Sequence, residues 1–202
     1  MTAKKTFFIT GTNSGFGRAI ALAAAQADHS VIGAVRSEAA VAEIEAAGRG
    51  RIHGLVLDVT SSQAIPSVVA EAEAKFGPVD VLINNAGYGH EGILEESPLE
   101  EMRRQFEVNV FGAVAVAKAF LPRFRERRRG FIVNVTSMGG LITMPGIGLL
   151  LRQQIRSSGH LRSDARGDGA VRGACDRALP RLVPHRLGRT LHGAQRSDNR
   201  RL

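Results

Sequence analysis

The sequence predicts an α/β protein, a doubly wound parallel sheet that is incomplete after its fifth strand. Three observations carry this. Short, apolar, β-prone runs alternate with helix-forming stretches from Thr6 to Thr136, the rhythm of parallel strands joined by helical crossovers. The first run passes through a glycine-rich turn straight into a helix former. Polar residues suited to a ligand collect after the first, fourth and fifth runs, at Ser14, Asn85 and Ser137. Open α/β sheets bind their ligands there, outside the carboxyl ends of the strands.

The first strand is Thr6-Phe7-Phe8-Ile9-Thr10. The turn Thr10-Gly11-Thr12-Asn13-Ser14-Gly15-Phe16-Gly17 follows, then an Ala-rich helix from Arg18 to Gln26. Glycines let such a turn be tight and let its backbone approach a pyrophosphate. The helix behind it aims free N–H groups and a positive dipole end at the anion. The bland alternative is a glycine-rich turn without a ligand. The Thr-Gly-x-x-x-Gly-x-Gly spacing resembles the short-chain dehydrogenase/reductase family, whose sheet is of the Rossmann type. The resemblance implies that Gly11, Asn13, Ser14, Gly15, Phe16 and Gly17 bind a nicotinamide dinucleotide.

Ser30 to Val35 reads as the second strand, with Arg36 and Ser37 directly after it. In a dinucleotide fold that strand end faces the adenosine ribose. The planar fork of an arginine pairs with a 2′-phosphate, so Arg36 points to NADP rather than NAD; a solvated arginine is the alternative. Glu38 to Ala47 forms an Ala/Glu helix closed by Gly48, and Arg51 to Leu57 a third strand ending in Asp58-Val59. The resemblance puts Asp58 and Val59 against the adenine. The other reading of Asp58 is a cap on the next helix. That helix spans Ser61 to Phe76, with Ile65, Val68, Val69, Ala72 and Phe76 at three- and four-residue steps. Pro66 falls in its first turn, and Gly77-Pro78 stops it.

Val79 to Ile83 is the fourth strand and runs into Asn84-Asn85-Ala86-Gly87, a second signature of the resembled family. It implies that Asn85, Ala86 and Gly87 line the cofactor groove beside the nicotinamide ribose; an asparagine-rich turn is the plain reading. A long helix follows from Pro98-Leu99-Glu100 to Phe120, capped by Ser97 and ended by Pro122. Asn109 is polar in an apolar stretch of it. In the resembled family such an asparagine bends the helix and holds a water for a proton relay; otherwise it is a hydrogen-bonded buried asparagine. Arg123 to Arg129 reads as a solvated basic connector. Phe131 to Thr136 is the fifth strand. The Asn134-Val135-Thr136-Ser137 run with Gly140 looks like the family's catalytic-serine motif, which implies that Ser137 holds a substrate oxygen.

Here the resemblance breaks. The family's proton donor is a tyrosine thirteen residues after that serine, with a lysine four residues later. Four residues make one helical turn, so the ammonium lies beside the phenol and lowers its pKa. Those positions hold Leu150 and Gln154, and the single tyrosine, Tyr88, lies outside the motif. From Leu149 onward Lys, Glu, Phe and Tyr vanish and arginine dominates. One codon choice for Leu149 to Ser157 is CTA CTA CTG CGC CAG CAA ATT CGC TCT. Without its first base it reads Tyr-Tyr-Cys-Ala-Ser-Lys-Phe-Ala, which places a tyrosine at position 150 and a lysine at position 154. A one-base frameshift near codon 148 accounts for both the break and the composition. The chain thus divides into a dinucleotide-binding domain, residues 1–148, and an out-of-frame tail, residues 149–202, expected to be disordered. The loss of a helix that covers one sheet face predicts a poorly stable, aggregation-prone protein. At ~25 cal/mol per Å2, several hundred square ångströms of apolar surface amount to ~10 kcal/mol.

Composition agrees. Residues 149–202 carry twelve arginines against four aspartates, which is the whole formal charge of +8, while residues 1–148 are neutral. The arginines are scattered, without interleaved aromatics or a helical stripe, so they are not read as a nucleic-acid site. One cysteine, Cys175, allows no disulfide within the chain, and no apolar run is long enough for a membrane span. A cytoplasmic protein is expected, with no metal or membrane partner. The resemblance implies NADP(H) and a small-molecule alcohol/carbonyl pair as ligands. It also implies self-association, although one of the family's contact helices belongs to the lost part. With the tyrosine and lysine missing, the expected chain is inactive, and a non-catalytic dinucleotide-binding protein is the alternative.

Overall fold

The computed structural model describes residues 3–137. Five strands form one sheet: β1 (Thr6–Thr10), β2 (Ser30–Val35), β3 (Ile52–Val56), β4 (Val81–Asn84) and β5 (Phe131–Asn134). All neighbours are parallel, in the order β3-β2-β1-β4-β5. The crossovers carry α1 (Gly15–Gln26), α2 (Glu38–Gly48), α3 (Ile65–Phe76), α4 (Leu99–Phe106) and α5 (Ala113–Glu126). A single wide π-helical turn, Glu107–Gly112, joins α4 to α5. The expected doubly wound sheet of five strands is therefore the observed one. The expectations for residues 149–202, including those for Leu150 and Gln154, lie outside the described residues.

The central strands β1, β2 and β4 read as continuous apolar runs because both sheet faces are covered there, whereas every residue of β5 is only half-buried. Alternate side chains go to opposite faces. Phe8, Ile32 and Leu82 pack under Val69 and Ala72 of α3 and Val116 and Phe120 of α5. Ile9, Val31 and Ile83 pack on the other face, under Ala21 and Ala24 of α1 and Ile44 of α2. The Phe8 and Phe120 rings lie 5.0 Å apart.

Two carboxylates tie elements together at the amino ends of the strands. Asp80 Oδ2 accepts the Thr6 N–H at 3.0 Å, and its Oδ1 pairs with Arg129 at 2.6 Å. The Asp80 main chain also bonds Thr6 and Phe131. Glu73 of α3 pairs with Arg127 at 2.9 Å and Arg123 at 3.1 Å, both on or next to α5, and accepts the Val79 N–H at 3.0 Å.

Several element ends differ from the sequence expectation. Gly48 does not close α2 but is its last, buried residue, because a side chain there would collide with Ile52. The left-handed Arg49 and Gly50 turn the chain instead. Helix α3 starts at Ile65 rather than Ser61, the intervening residues forming turns bonded to Asp58 and Ser61 carbonyls. Pro122 does not end the long helix, which continues to Glu126. Pro122 is exposed, while Phe120 and Phe124 are buried and Arg123 and Arg127 hold Glu73. That packing outweighs the ~3 kcal/mol a helical proline costs. Ser97 does not cap α4; its hydroxyl donates to the Ile93 carbonyl and bonds His90 Nε2 at 3.0 Å.

Candidate functional site

The strand order reverses between β1 and β4, which makes their carboxyl ends the switch point of the sheet. The two ends are locked together. Thr10, 2% exposed, offers its hydroxyl oxygen to the N–H groups of Asn85 (3.0 Å) and Ala86 (2.9 Å). Asn85 Nδ2 donates back to the carbonyls of Thr10 (3.0 Å) and Gly11 (3.1 Å). Gly11 has φ +72°, and a Cβ on it would lie 2.9 Å from Ala86 Cα. A Cβ on Gly17 would collide with the Gly11 carbonyl and the Asn85 amide. These two glycines are therefore required by close approach, as a phosphate loop needs them to be.

The loop is shaped for an anion. Gly11 N–H and Thr12 N–H both donate to the Ala34 carbonyl of β2, at 2.8 and 3.3 Å. Thr12 is fully buried, whereas Asn13, Ser14, Gly15 and Phe16 are exposed, Phe16 by 61%. Ser14 is the N-cap of α1 in an extended conformation, and no acidic residue lies in the first turn. Space next to Gly15 is open to 4 Å. A bare helix start with room beside it, free of negative charge, fits a pyrophosphate.

The remaining expected residues ring this loop. Arg36 is exposed just past β2 and makes no ion pair among the described residues, while Ser37 accepts the Ala40 N–H and caps α2. Asp58 is exposed past β3. Its Oδ1 accepts the N–H (2.9 Å) and hydroxyl (2.8 Å) of Thr60, a local turn, so it is not the cap of α3, whose N-cap is Ala64. Val59 is buried in the core. Asn85 and Ala86 are half-buried and Gly87 is exposed. Asn109 sits in the π turn: its Oδ1 accepts the Tyr88 N–H at 3.0 Å and its Nδ2 donates to the Tyr88 carbonyl at 2.7 Å. Ser137 is half-buried, beyond the end of β5, in a segment whose Val135 N–H still bonds the Asn84 carbonyl at 2.9 Å.

Three further residues support the site. Thr10 opens the glycine motif and Asn84 the Asn-Asn-Ala-Gly run, though neither is a candidate ligand residue in the sequence. Asn84 faces Asn134 across the β4–β5 ladder. Its Nδ2 donates to Asn134 Oδ1 at 3.0 Å and to the Ala113 carbonyl at 3.2 Å. Gln105, fully buried, donates to the Tyr88 carbonyl at 3.2 Å. Only its polarity within an amphipathic helix could have marked it. The Tyr88 phenol is pushed above its ordinary value, by burial first and then by its hydrogen bond to Glu101 and that carboxylate's charge. Among the described residues no group of His, Cys, Asp or Glu could hold a metal ion, and no helix is long and apolar enough to cross a membrane.

Comparison with known proteins agrees with this geometry. The pattern of the short chain dehydrogenase family matches residues 5–149. Oxidoreductase BOA17 of Botryotinia fuckeliana is 38% identical over 144 residues, 71% of this chain and 53% of that protein. A 3-ketodihydrosphingosine reductase of Bacteroides thetaiotaomicron is 39% identical over 137 residues, 68% of this chain and 48% of that one. The chain thus spans about half the length of these curated relatives. Among solved structures, a short-chain dehydrogenase from Streptomyces avermitilis superposes with a TM-score of 0.76 at 38% identity, covering 82% of this chain and 60% of its own. An alcohol dehydrogenase from Thermococcus sibiricus, complexed with 5-hydroxy-NADP, has a TM-score of 0.75 at 28% identity, with 84% and 74% covered.

Proposed function

The chain belongs to the short-chain dehydrogenase family, and from that premise we propose that residues 1–148 are the NADP-binding domain of an oxidoreductase acting on an alcohol/carbonyl pair. The locked switch point carries this reading, because Thr10 and Asn85 fix the glycine loop against β4 and leave the start of α1 open. In it, Gly11, Asn13, Ser14, Gly15, Phe16 and Gly17 hold the pyrophosphate. Arg36 holds the 2′-phosphate by charge-assisted hydrogen bonds. Asp58 and Val59 border the adenine, and Asn85, Ala86 and Gly87 border the nicotinamide ribose. When bound, the cofactor supplies or accepts the hydride. Ser137 positions the substrate oxygen, and Asn109 belongs to the turn that holds a relay water.

Proton transfer fails in the chain as written. Leu150 has no ionisable proton and Gln154 no charge. Tyr88 lies in the loop after β4, outside the motif that carries the family's proton donor. The favoured reading for this chain is therefore dinucleotide binding without turnover, with residues 149–202 translated from a shifted register. Three measurements test it. NADPH should bind with a Kd of about micromolar order, whereas no binding at millimolar ligand overturns the reading. Turnover of NADPH with a panel of carbonyl compounds should appear only after the register is restored; equal turnover from both chains overturns it. Base-resolution sequencing of the gene near codon 148 should show that one base restores the Tyr-x-x-x-Lys frame.

A further inference from the structure

The wide turn Glu107–Gly112 touches both ends of the groove just described. At its carboxyl end, Gly112 is buried against Val59. A Cβ there would lie 2.8 Å from Val59 Cγ2, 2.9 Å from its Cβ and 3.0 Å from its carbonyl oxygen. Gly112 has an ordinary helical φ of −59°, so close approach and not backbone conformation is what requires a glycine. In the middle of the turn, the Asn109 amide clasps the Tyr88 main chain in both directions. Asn109 Oδ1 also lies where a Cβ on Gly87 would come to within 3.0 Å. Gly112 lies three positions after Asn109. One short stretch of backbone therefore touches the Asp58-Val59 corner and the Asn85-to-Tyr88 corner at once.

The local geometry of a π turn makes this possible. It inserts one extra residue into the helical ladder, and such insertions cluster at functional sites. A regular α-helix through the same residues would rotate every side chain beyond the insertion by about 100°. Asn109 and Gly112 would then no longer face Tyr88 and Val59 together. The helices on either side are anchored independently: Gln105 donates to the Tyr88 carbonyl, and Ala113 accepts from Asn84. The turn and the helix ends that flank it are held at four residues, Gln105, Asn109, Gly112 and Ala113.

We propose that this turn is a brace that sets the distance between the adenine and nicotinamide ends of the groove, and that Gly112 is a positioning residue for dinucleotide binding. The inference rests on the reading of the groove as an NADP site. Gly112 acts through Val59, at the adenine end, so enlarging it disturbs that half directly. Asn109 acts through Tyr88 and Gly87, so its loss frees only the nicotinamide half. The brace therefore predicts a pattern that a general loss of stability does not.

The test is equilibrium binding of NADPH and of adenosine 2′,5′-bisphosphate, the adenine half alone, to the full chain and to two variants, with a thermal melt of each. Gly112→Ala should weaken both ligands by about tenfold. Asn109→Ala should weaken NADPH by a similar factor and leave adenosine 2′,5′-bisphosphate within about twofold of the unaltered chain. If both variants melt lower yet bind both ligands as the unaltered chain does, the turn is only structural and the brace is overturned. Equal weakening of the two ligands by Asn109→Ala overturns it as well. Should Gly112→Ala fail to fold, the split between the two ligands in Asn109→Ala still decides. Failure of the unaltered chain to bind NADPH overturns the NADP reading itself, whereas binding by the unaltered chain without the split overturns the brace alone.

Discussion

Replacing Thr10 by valine keeps the shape of a buried, β-branched side chain and removes one oxygen. That oxygen accepts two main-chain N–H groups, from Asn85 at 3.0 Å and Ala86 at 2.9 Å. A buried donor left without a partner costs ~1–3 kcal/mol. Both residues are half-buried, so the lower end of that range applies to each, and Thr10→Val should cost about 2–3 kcal/mol. Thr10→Ser keeps the acceptor and loses a methyl, which costs about 1 kcal/mol. In a urea titration with a slope of roughly 2 kcal/mol per M, the valine variant's midpoint should fall by about 1 M or slightly more, and the serine variant's by about half of that. NADPH affinity should fall with valine and survive with serine, because the glycine loop is fastened to β4 through this hydroxyl. Equal midpoints for the two variants would refute the assignment of the seam to hydrogen bonding and leave packing as its basis.

Arg36→Ala should lower NADPH affinity by roughly ten- to a hundredfold and leave NADH affinity unchanged, as expected for about 1.5–3 kcal/mol of charge-assisted bonding to a 2′-phosphate; parallel titrations of the two dinucleotides check it. Glu73→Gln strands two guanidinium groups that share one poorly exposed carboxylate and should cost about 2–3 kcal/mol, an effect that persists at about 0.5 M salt because the pair is shielded from solvent. Absorbance titration of the phenol should place Tyr88 ionisation above 10.0, and Glu101→Gln should bring it down, since that carboxylate raises it. Because the folded-state pKa is raised above the unfolded one, the phenol contributes fully to stability below pH 10.0, and the contribution is lost as pH rises through the folded value.

The sheet was legible because its strands are short apolar runs set between turn residues and helix formers, although β3, β4 and β5 are shorter than or shifted from the expected Arg51–Leu57, Val79–Ile83 and Phe131–Thr136. Thr6–Thr10 and Ser30–Val35 coincide with the expected runs. The helix ends were less legible, for tertiary reasons. Pro122 reads as a terminator, and only the burial of Phe120 and Phe124 around it explains why the helix runs on. Ser97 reads as a cap, but the neighbouring His90 and Ile93 take its hydroxyl. The glycine loop announced itself by spacing, whereas the cross-strand bonds around it did not. Thr10 and Asn84 act across strands distant in sequence, and no local pattern marks a partner 75 or 50 residues away. The π turn was legible only as a bend at Asn109, the polar residue of an apolar stretch; its width and its contact with Val59 were not.

Asp80 has a consequence for motion. It joins β1, β4 and the start of β5 at the floor of the sheet, while Thr10 and Asn85 join β1 to β4 at the roof. A pair of strands pinned at top and bottom cannot splay. A ligand at the switch point therefore meets a gap between β1 and β4 whose width is set at both ends.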